Sequence, residues 1–295
     1  MSSSLARLPN LRRAVRRGLL PALLLVLVAC APGARTSGTP PAATGPVAWA
    51  RLGTADAHSL AFAPGDTQNV FFGHHGGILE SLDGGRTWQP TGARADAMSM
   101  DIGDETVLYI AGHEVFQVSR DGGRTWSSPD ADLPSLDIHA FARDRTDPQR
   151  MWAYLAEGGV YESRDGGSAW RRVYDGHVPF LNAVAGSDGT RLLGLDPLVG
   201  LVQSDDAGAT WPVVSTPPAT PVVSLAAAPD GRTVLLGAGD GLYRSDDGGV
   251  TWRLILAVDL PLALAVSVDG TVLATVTRAT DFYRSEDGGT SWAGP

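Results

Sequence analysis

The sequence predicts an all-β protein, a six-bladed β-propeller with four antiparallel strands per blade. One phrase, Ser81-Leu-Asp83-Gly84-Gly85-Arg-Thr87-Trp88, recurs from Ser119, Ser163, Ser204, Ser245 and Ser285, and each copy ends in tryptophan. The starts lie 38, 44, 41, 41 and 40 residues apart, a period that fits one supersecondary unit per copy. Between copies, short apolar runs alternate with Gly, Pro and Asp turns, the pattern of short strands. Six phrases give six blades; a seventh would need a repeat that the chain does not display.

The strands follow a common grammar. An inner strand opens each unit, as in Ser59-Leu-Ala-Phe-Ala, and a turn such as Pro229-Asp-Gly leads to a second apolar strand, as in Val70-Phe-Phe-Gly. A glycine turn and a third strand follow, as in Gly241-Leu-Tyr-Arg-Ser, and the repeated phrase then turns the chain into an outer fourth strand. Val47-Ala-Trp49-Ala-Arg-Leu reads like the outer strands at Thr87-Trp-Gln-Pro and Thr251-Trp-Arg-Leu, whereas only three residues follow Trp292. The expectation is that this N-terminal strand completes the last blade and closes the ring.

The phrase itself reads as structural. Gly84 and Gly85 supply positive φ for a tight turn, and Asp83 accepts turn amides. Ser81 and Thr87 tie the strands, and Trp88 buries a large apolar area. The same roles fall to Asp121, Asp165, Asp206, Asp247 and Asp287, and to Trp126, Trp170, Trp211, Trp252 and Trp292. Ala207 replaces the first glycine of the fourth copy, so that turn should be the most strained.

The phrase resembles the Asp-box of the bacterial-neuraminidase (BNR) repeats found in sialidases, some other glycosidases, the sortilin ectodomain and a photosystem II assembly factor. The resemblance covers residues 47–295 and implies a sialidase-like propeller with the boxes on the rim away from any active site. The chain is similar to lipoproteins of this repeat family called glycosyl hydrolase-like. A sialidase of that family would carry an Arg-Ile-Pro phrase, which is missing here. Six arginines are taken up in or beside boxes (Arg86, Arg120, Arg124, Arg164, Arg244, Arg284), so sialidase activity is not expected.

The first 29 residues read as a lipoprotein signal peptide. Arg12, Arg13, Arg16 and Arg17 precede an apolar run from Gly18 to Val28, too short for a comfortable bilayer span. Leu27-Val28-Ala29-Cys30 resembles a lipobox, which makes Cys30 the lipidation site; a plain signal peptide with an incidental cysteine is the alternative. Residues 30–46 read as the lipidated Cys and a flexible tether, and residues 47–295 as the propeller. The protein is therefore expected outside the cytoplasm, anchored to a bacterial membrane through its N-terminal lipid, at the periplasmic or cell-surface side.

Composition excludes several activities. Cys30 is the one cysteine, so its lipidation leaves no thiol for disulfides or covalent catalysis. The chain has no lysine, which removes Schiff-base chemistry and the P-loop. Five of the 23 arginines precede Cys30, leaving 18 against 32 acidic residues, a net of −14, a poor match for nucleic acid.

Chemistry must then come from residues that differ between repeats. In a propeller blade, the start of the inner strand and the second turn share the ring end opposite the boxes. His58 and His139 occupy the first of these slots, where other repeats carry Met98, Asn182, Val223 and Leu262. His75 and His113 occupy the second, where the third repeat has Glu157; His74 is adjacent, and His177 enters the fourth inner strand. Met100 lies nearby, as do Asp196, Asp240, Arg278 and Asp281 from later blades.

The candidate ligand-binding set is His58, His74, His75, Met98, His113, His139, Glu157 and Arg278. Imidazole with thioether or carboxylate suits Cu or Zn, with His58, His75, His113 and His139 as candidate metal ligands. A glycosidase would need two facing carboxylates, and Glu157 with Asp196, Asp240 or Asp281 are candidates that spacing does not single out. The plainer alternative is a wet channel mouth whose polar residues satisfy strand ends. The leading expectation is a membrane-tethered binding or assembly platform for a protein, glycan or small ligand, with a glycan-directed hydrolase as the alternative.

Overall fold

The computed structural model describes residues 47–48, 52–103, 106–187 and 189–295, all strand, turn and loop. The signal peptide, Cys30 and tether lie outside the described residues. Blade one contains β1 (Val47–Ala48), β2 (Ser59–Ala63), β3 (Asp66–His74), β4 (Gly77–Ser81) and β5 (Thr87–Pro90), and blade two β6 (Ser99–Ile102), β7 (Leu108–Gly112) and β8 (Val115–Ser119). Blade three contains β9 (Ile138–Arg143), β10 (Met151–Leu155), β11 (Gly159–Ser163) and β12 (Trp170–Tyr174). Blade four contains β13 (Phe180–Gly186), β14 (Gly189–Asp196), β15 (Gly200–Ser204) and β16 (Val213–Ser215). Blade five contains β17 (Val222–Ala227), β18 (Val234–Ala238), β19 (Gly241–Ser245) and β20 (Arg253–Leu256), and blade six β21 (Pro261–Val266), β22 (Leu273–Thr277) and β23 (Phe282–Ser285).

Every neighbouring pair within a blade is antiparallel. In blades two and six the fourth strand shrinks to a single bridge, Val118 with Ser127 and Arg284 with Ala293. The architecture is a six-bladed β-propeller.

The second strands are buried along their length, as in Leu108–Gly112, Met151–Leu155 and Val234–Ala238, because both faces of a blade pack against other blades. Adjacent inner strands are also tied by side chains. Ser59 Oγ donates to Ala97 O at 2.7 Å, the Phe141 amide donates to Ser99 Oγ at 3.0 Å, and the Ala227 amide donates to Asn182 Oδ1 at 3.2 Å.

The ring does not close as expected. β1 does not complete blade six; it pairs with β5 at the outer edge of blade one, Val47 opposite Trp88. The outer edge of β23 is already occupied at Arg284, whose N–H and C=O both pair with Ala293 at 2.8 Å. Blades six and one instead meet by packing. Leu60, Phe72 and Trp88 share one apolar cluster with Ala263, Val276 and Phe282. Arg284, 4% exposed, spans the seam: Nη1 donates to Thr67 O at 2.8 Å and the guanidinium lies 5.5 Å from the Phe62 ring centroid.

The repeated phrase is the expected staple. In the first copy, Ser81 Oγ donates to Asp83 Oδ1 at 2.8 Å and accepts the Gly85 amide at 2.8 Å. Asp83 Oδ1 also takes the amides of Arg86 and Thr87, while Thr87 Oγ1 donates to Oδ2 at 2.7 Å. Trp88 is fully buried, and its indole N–H donates to Gly85 O at 2.9 Å. Gly84 and Gly85 sit at φ +74° and +99°. Ala207 is held at φ +64°, the strained position expected of the fourth copy. Donors converging on carboxylates at the surface hold Asp121, Asp247 and Asp287 down to about 2, the threonine or serine hydroxyl four residues on contributing most.

Candidate functional site

Among the described residues five boxes contact the first hairpin of their own blade, as when the Gly84 amide donates to Gln68 O and the Gly288 amide to Thr271 O. The boxes and first turns therefore share one end of the ring. The inner-strand starts and second turns share the other, where His58 and His75 meet.

At that end four of the predicted histidines come together. His58 Nε2 lies 2.9 Å from His75 Nδ1, with the rings edge to face and their centroids 4.3 Å apart. His75 and His113, from the second turns of blades one and two, stack in parallel at 5.9 Å and 4°. His113 and His139 meet edge to face at 5.3 Å. An arc of imidazoles thus crosses blades one to three.

Three aspartates thread this arc. Asp56 Oδ2 lies 2.6 Å from His75 Nδ1, and its Oδ1 accepts the His75 amide at 2.9 Å. One blade on, Asp96 Oδ2 lies 2.8 Å from His113 Nδ1 and accepts the His113 amide at 3.1 Å. Asp137 Oδ1 lies 3.2 Å from His139 Nε2 and 3.7 Å from His113 Nε2. A carboxylate accepts and does not donate, so the Nδ1 of His75 and of His113 carries the proton and their Nε2 is left as the lone-pair nitrogen, while His139 donates to Asp137 through Nε2. His75 Nδ1 holds one proton, shared between Asp56 Oδ2 and the His58 Nε2 lone pair.

Sequence reasoning missed these aspartates, although a signal was present. Asp56, Asp96 and Asp137 each stand two residues before the inner-strand slot of His58, Met98 and His139. The same positions in blades four to six are Phe180, Pro221 and Leu260, so the acidic slot is confined to the blades that carry the histidines.

Electrostatics follow the packing. Burial pushes the His58 imidazole below its ordinary value, outweighing the pull of Asp56, and burial likewise lowers His74. Burial works to raise Asp56, yet the His75 amide and imidazole, with His58 nearby, hold it below the usual carboxylate value. Asp96 is the deepest member, its side chain 8% exposed, and its Oδ1 has no hydrogen-bond partner among the described residues. The His75 and His113 rings stay accessible, each 40% exposed.

The other candidates sit apart from these contacts. His74 stacks over Phe72 at 6.0 Å and accepts the Gly76 amide at 3.1 Å, which makes it a turn cap. Met98 is half-buried in the blade-two slot, and Glu157 is exposed at the β10–β11 turn. Arg278 pairs with Asp259 at 2.7 Å. Asp196 takes the Leu198 amide within its own turn and lies 3.9 Å from His177, whose ring abuts Tyr154. Asp240 accepts the Tyr243 hydroxyl at 3.0 Å. Asp196 and Asp240 are thus engaged in local turns.

Residues 117–128 and 243–254, which span the second and fifth boxes, match the family model described as BNR/Asp-box repeat. No curated protein matches the chain. Among solved structures, the GH74 xyloglucanase of Xanthomonas campestris aligns at 20% identity and TM-score 0.56 over 84% of this chain and 46% of its own. The GH74 enzyme of Niastella koreensis aligns at 18% and 0.55 over 80% and 46%. The chain therefore spans about half the length of these two enzymes. YCF48 bound to D1 peptide aligns at 18% identity and TM-score 0.51, over 84% of both chains. On the fold and these matches, the chain is a six-bladed β-propeller that carries BNR/Asp-box repeats, the family model matching its second and fifth boxes.

Proposed function

We propose that the protein is a binding propeller whose working surface is the ring end opposite the boxes, held outside the cytoplasm by lipid on Cys30. The observation that carries this reading is the arc Asp56–His58–His75–Asp96–His113–Asp137–His139. It concentrates hydrogen-bonding and metal-ligating groups at one end, while the boxes spend their polar groups on their own turns. The YCF48 structure bound to a D1 peptide supports the use of such a ring as a platform. A hydrolase would need a carboxylic acid held protonated near neutral pH. Among the described residues, every carboxylate with a displaced pKa is displaced downward.

The test is a panel of xyloglucan and other glycans, and of short peptides, offered to the full-length protein while its imidazole NMR signals and released reducing ends are recorded. Saturable shifts of the His58, His75, His113 and His139 signals without sugar release are expected. Sugar release, or ligand effects confined to the box rim, would overturn the reading.

A further inference from the structure

Three sets of side chains in the arc each bring one imidazole or carboxylate donor per residue within 4.8 Å of the others: Asp56 with His58 and His75, His75 with Asp96 and His113, and His113 with Asp137 and His139. A tetrahedral ion bound at 2.0–2.1 Å sets its ligands about 3.3 Å apart. In the first set the donors have closed to 2.6 and 2.9 Å, hydrogen-bond lengths with a proton between them. In the second, Asp96 is already joined to His113 through Nδ1. In the third, Asp137 Oδ1 accepts a hydrogen bond from His139 Nε2 at 3.2 Å and stands 3.7 Å from His113 Nε2, so the spacing already brackets the expected edge and an ion would take the place of the one His139 Nε2 proton.

We propose that His113 Nε2, His139 Nε2 and Asp137 Oδ1 bind one late first-row divalent ion, Zn²⁺ or Cu²⁺, and that Asp96 is the positioning residue behind His113. The proposal deepens, and rests on, the reading of this end as the binding surface.

Four features support it. Two nitrogens and one oxygen form a borderline donor set that suits Zn and Cu and is poorly matched to Ca²⁺ or Mg²⁺, which take oxygen ligands. Metal-bound histidines hand their other ring nitrogen to a carboxylate, and Asp96 holds the proton on His113 Nδ1 so that Nε2 faces Asp137. The Asp96 carboxyl is buried with Oδ1 unpartnered among the described residues, a negative group that a cation on the far side of the imidazole compensates. The ligands are part exposed, at 40% for His113, 36% for Asp137 and 31% for His139, so an ion can enter and keep a free coordination position for a donor group of a bound molecule.

The probes are ZnSO4 and CuSO4 alone, titrated into the full-length protein near pH 7.5 by calorimetry, with electron paramagnetic resonance of the copper form. One equivalent is expected to bind, and the copper spectrum should show coupling to two imidazole nitrogens, falling to one in His113→Gln or His139→Gln. Each of those variants should weaken zinc at least tenfold, and Asp96→Asn about 10- to 100-fold, while His74→Gln and His177→Gln stay within twofold. The wild-type copper spectrum keeps the test decisive even if a variant folds poorly. Unchanged affinity in His113→Gln and His139→Gln would overturn the proposal. So would failure of both ions to bind at millimolar concentration, a result that leaves the pore-end reading to be judged separately by the glycan and peptide panel.

Discussion

Asp96 grips His113 twice, accepting its backbone N–H at 3.1 Å and its imidazole Nδ1 at 2.8 Å through the same oxygen. Asp56 holds His75 by the same two groups one blade earlier. The repeated clamp fixes which nitrogen of each ring faces outward and turns two exposed side chains into oriented ones. Replacing Asp96 with asparagine should release the His113 ring from its single tautomer. Imidazole ¹⁵N shifts would report a mixture of Nδ1–H and Nε2–H forms in the variant against Nδ1–H alone in the wild type. Asp96→Ala should in addition cost about 1 kcal/mol of unfolding free energy, because the His113 amide loses its acceptor.

The boxes make a different kind of prediction, since their serines are buried and doubly used. Ser119 Oγ donates to Asp121 and accepts the Gly123 amide at 2.8 Å. Ser119→Ala removes both contacts and leaves a buried N–H unpaired, at a cost of about 1–3 kcal/mol. Urea unfolding of that variant should show a lower midpoint with an unchanged slope.

Ala207 offers the opposite change. A residue with a β-carbon at φ +64° carries left-handed strain of roughly 1 kcal/mol, which glycine does not. Ala207→Gly should raise the urea midpoint by the equivalent of about 1 kcal/mol and so restore the pattern of the other five boxes.

Stability should fall in two stages as pH drops. His58 and His74 are held below the ordinary value of 6.5, so the unfolded chain takes up protons first and stability declines once pH passes below 6.5. Asp121, Asp247 and Asp287 are held at about 2 against an ordinary 3.8, so their contribution is complete above that value and is lost between about pH 4 and pH 2. Thermal melting across pH 8 to 2 should show both declines, with the upper one reduced in His58→Gln and His74→Gln. A single decline unaffected by those variants would contradict the assignment.

The seam between blades six and one is closed by packing and by Arg284. Arg284→Ala removes a charge-assisted bond to Thr67 O across the seam, and a loss of about 1.5–3 kcal/mol is expected in chemical denaturation.

The ring was legible because the box is a local device: its Ser, Asp, Gly, Thr and Trp contact one another within eight residues, so spacing alone reveals it. The histidine-bearing end was legible from slot equivalence, which assigned His58 and His139 to one slot and His75 and His113 to another at the same end of the ring; which of them touch was not. Two other things were not. Adjacent strand residues point to opposite sides, and the register that sends His75 into the arc and His74 over Phe72 depends on tertiary packing. The place of β1 turned on whether β23 still had an open edge, and the Arg284–Ala293 bridge settles that in three dimensions. The aspartates at 56, 96 and 137 were readable in principle, since each stands two residues before an inner-strand slot and the Asp-x-His spacing occurs twice.

The most direct measurement is anomalous diffraction at the zinc edge from crystals of the protein grown with zinc. A single strong peak within about 2.0–2.2 Å of His113 Nε2, His139 Nε2 and an Asp137 carboxylate oxygen is the predicted result. A peak on other side chains, or an arc whose imidazoles have separated and hold no metal, would contradict it.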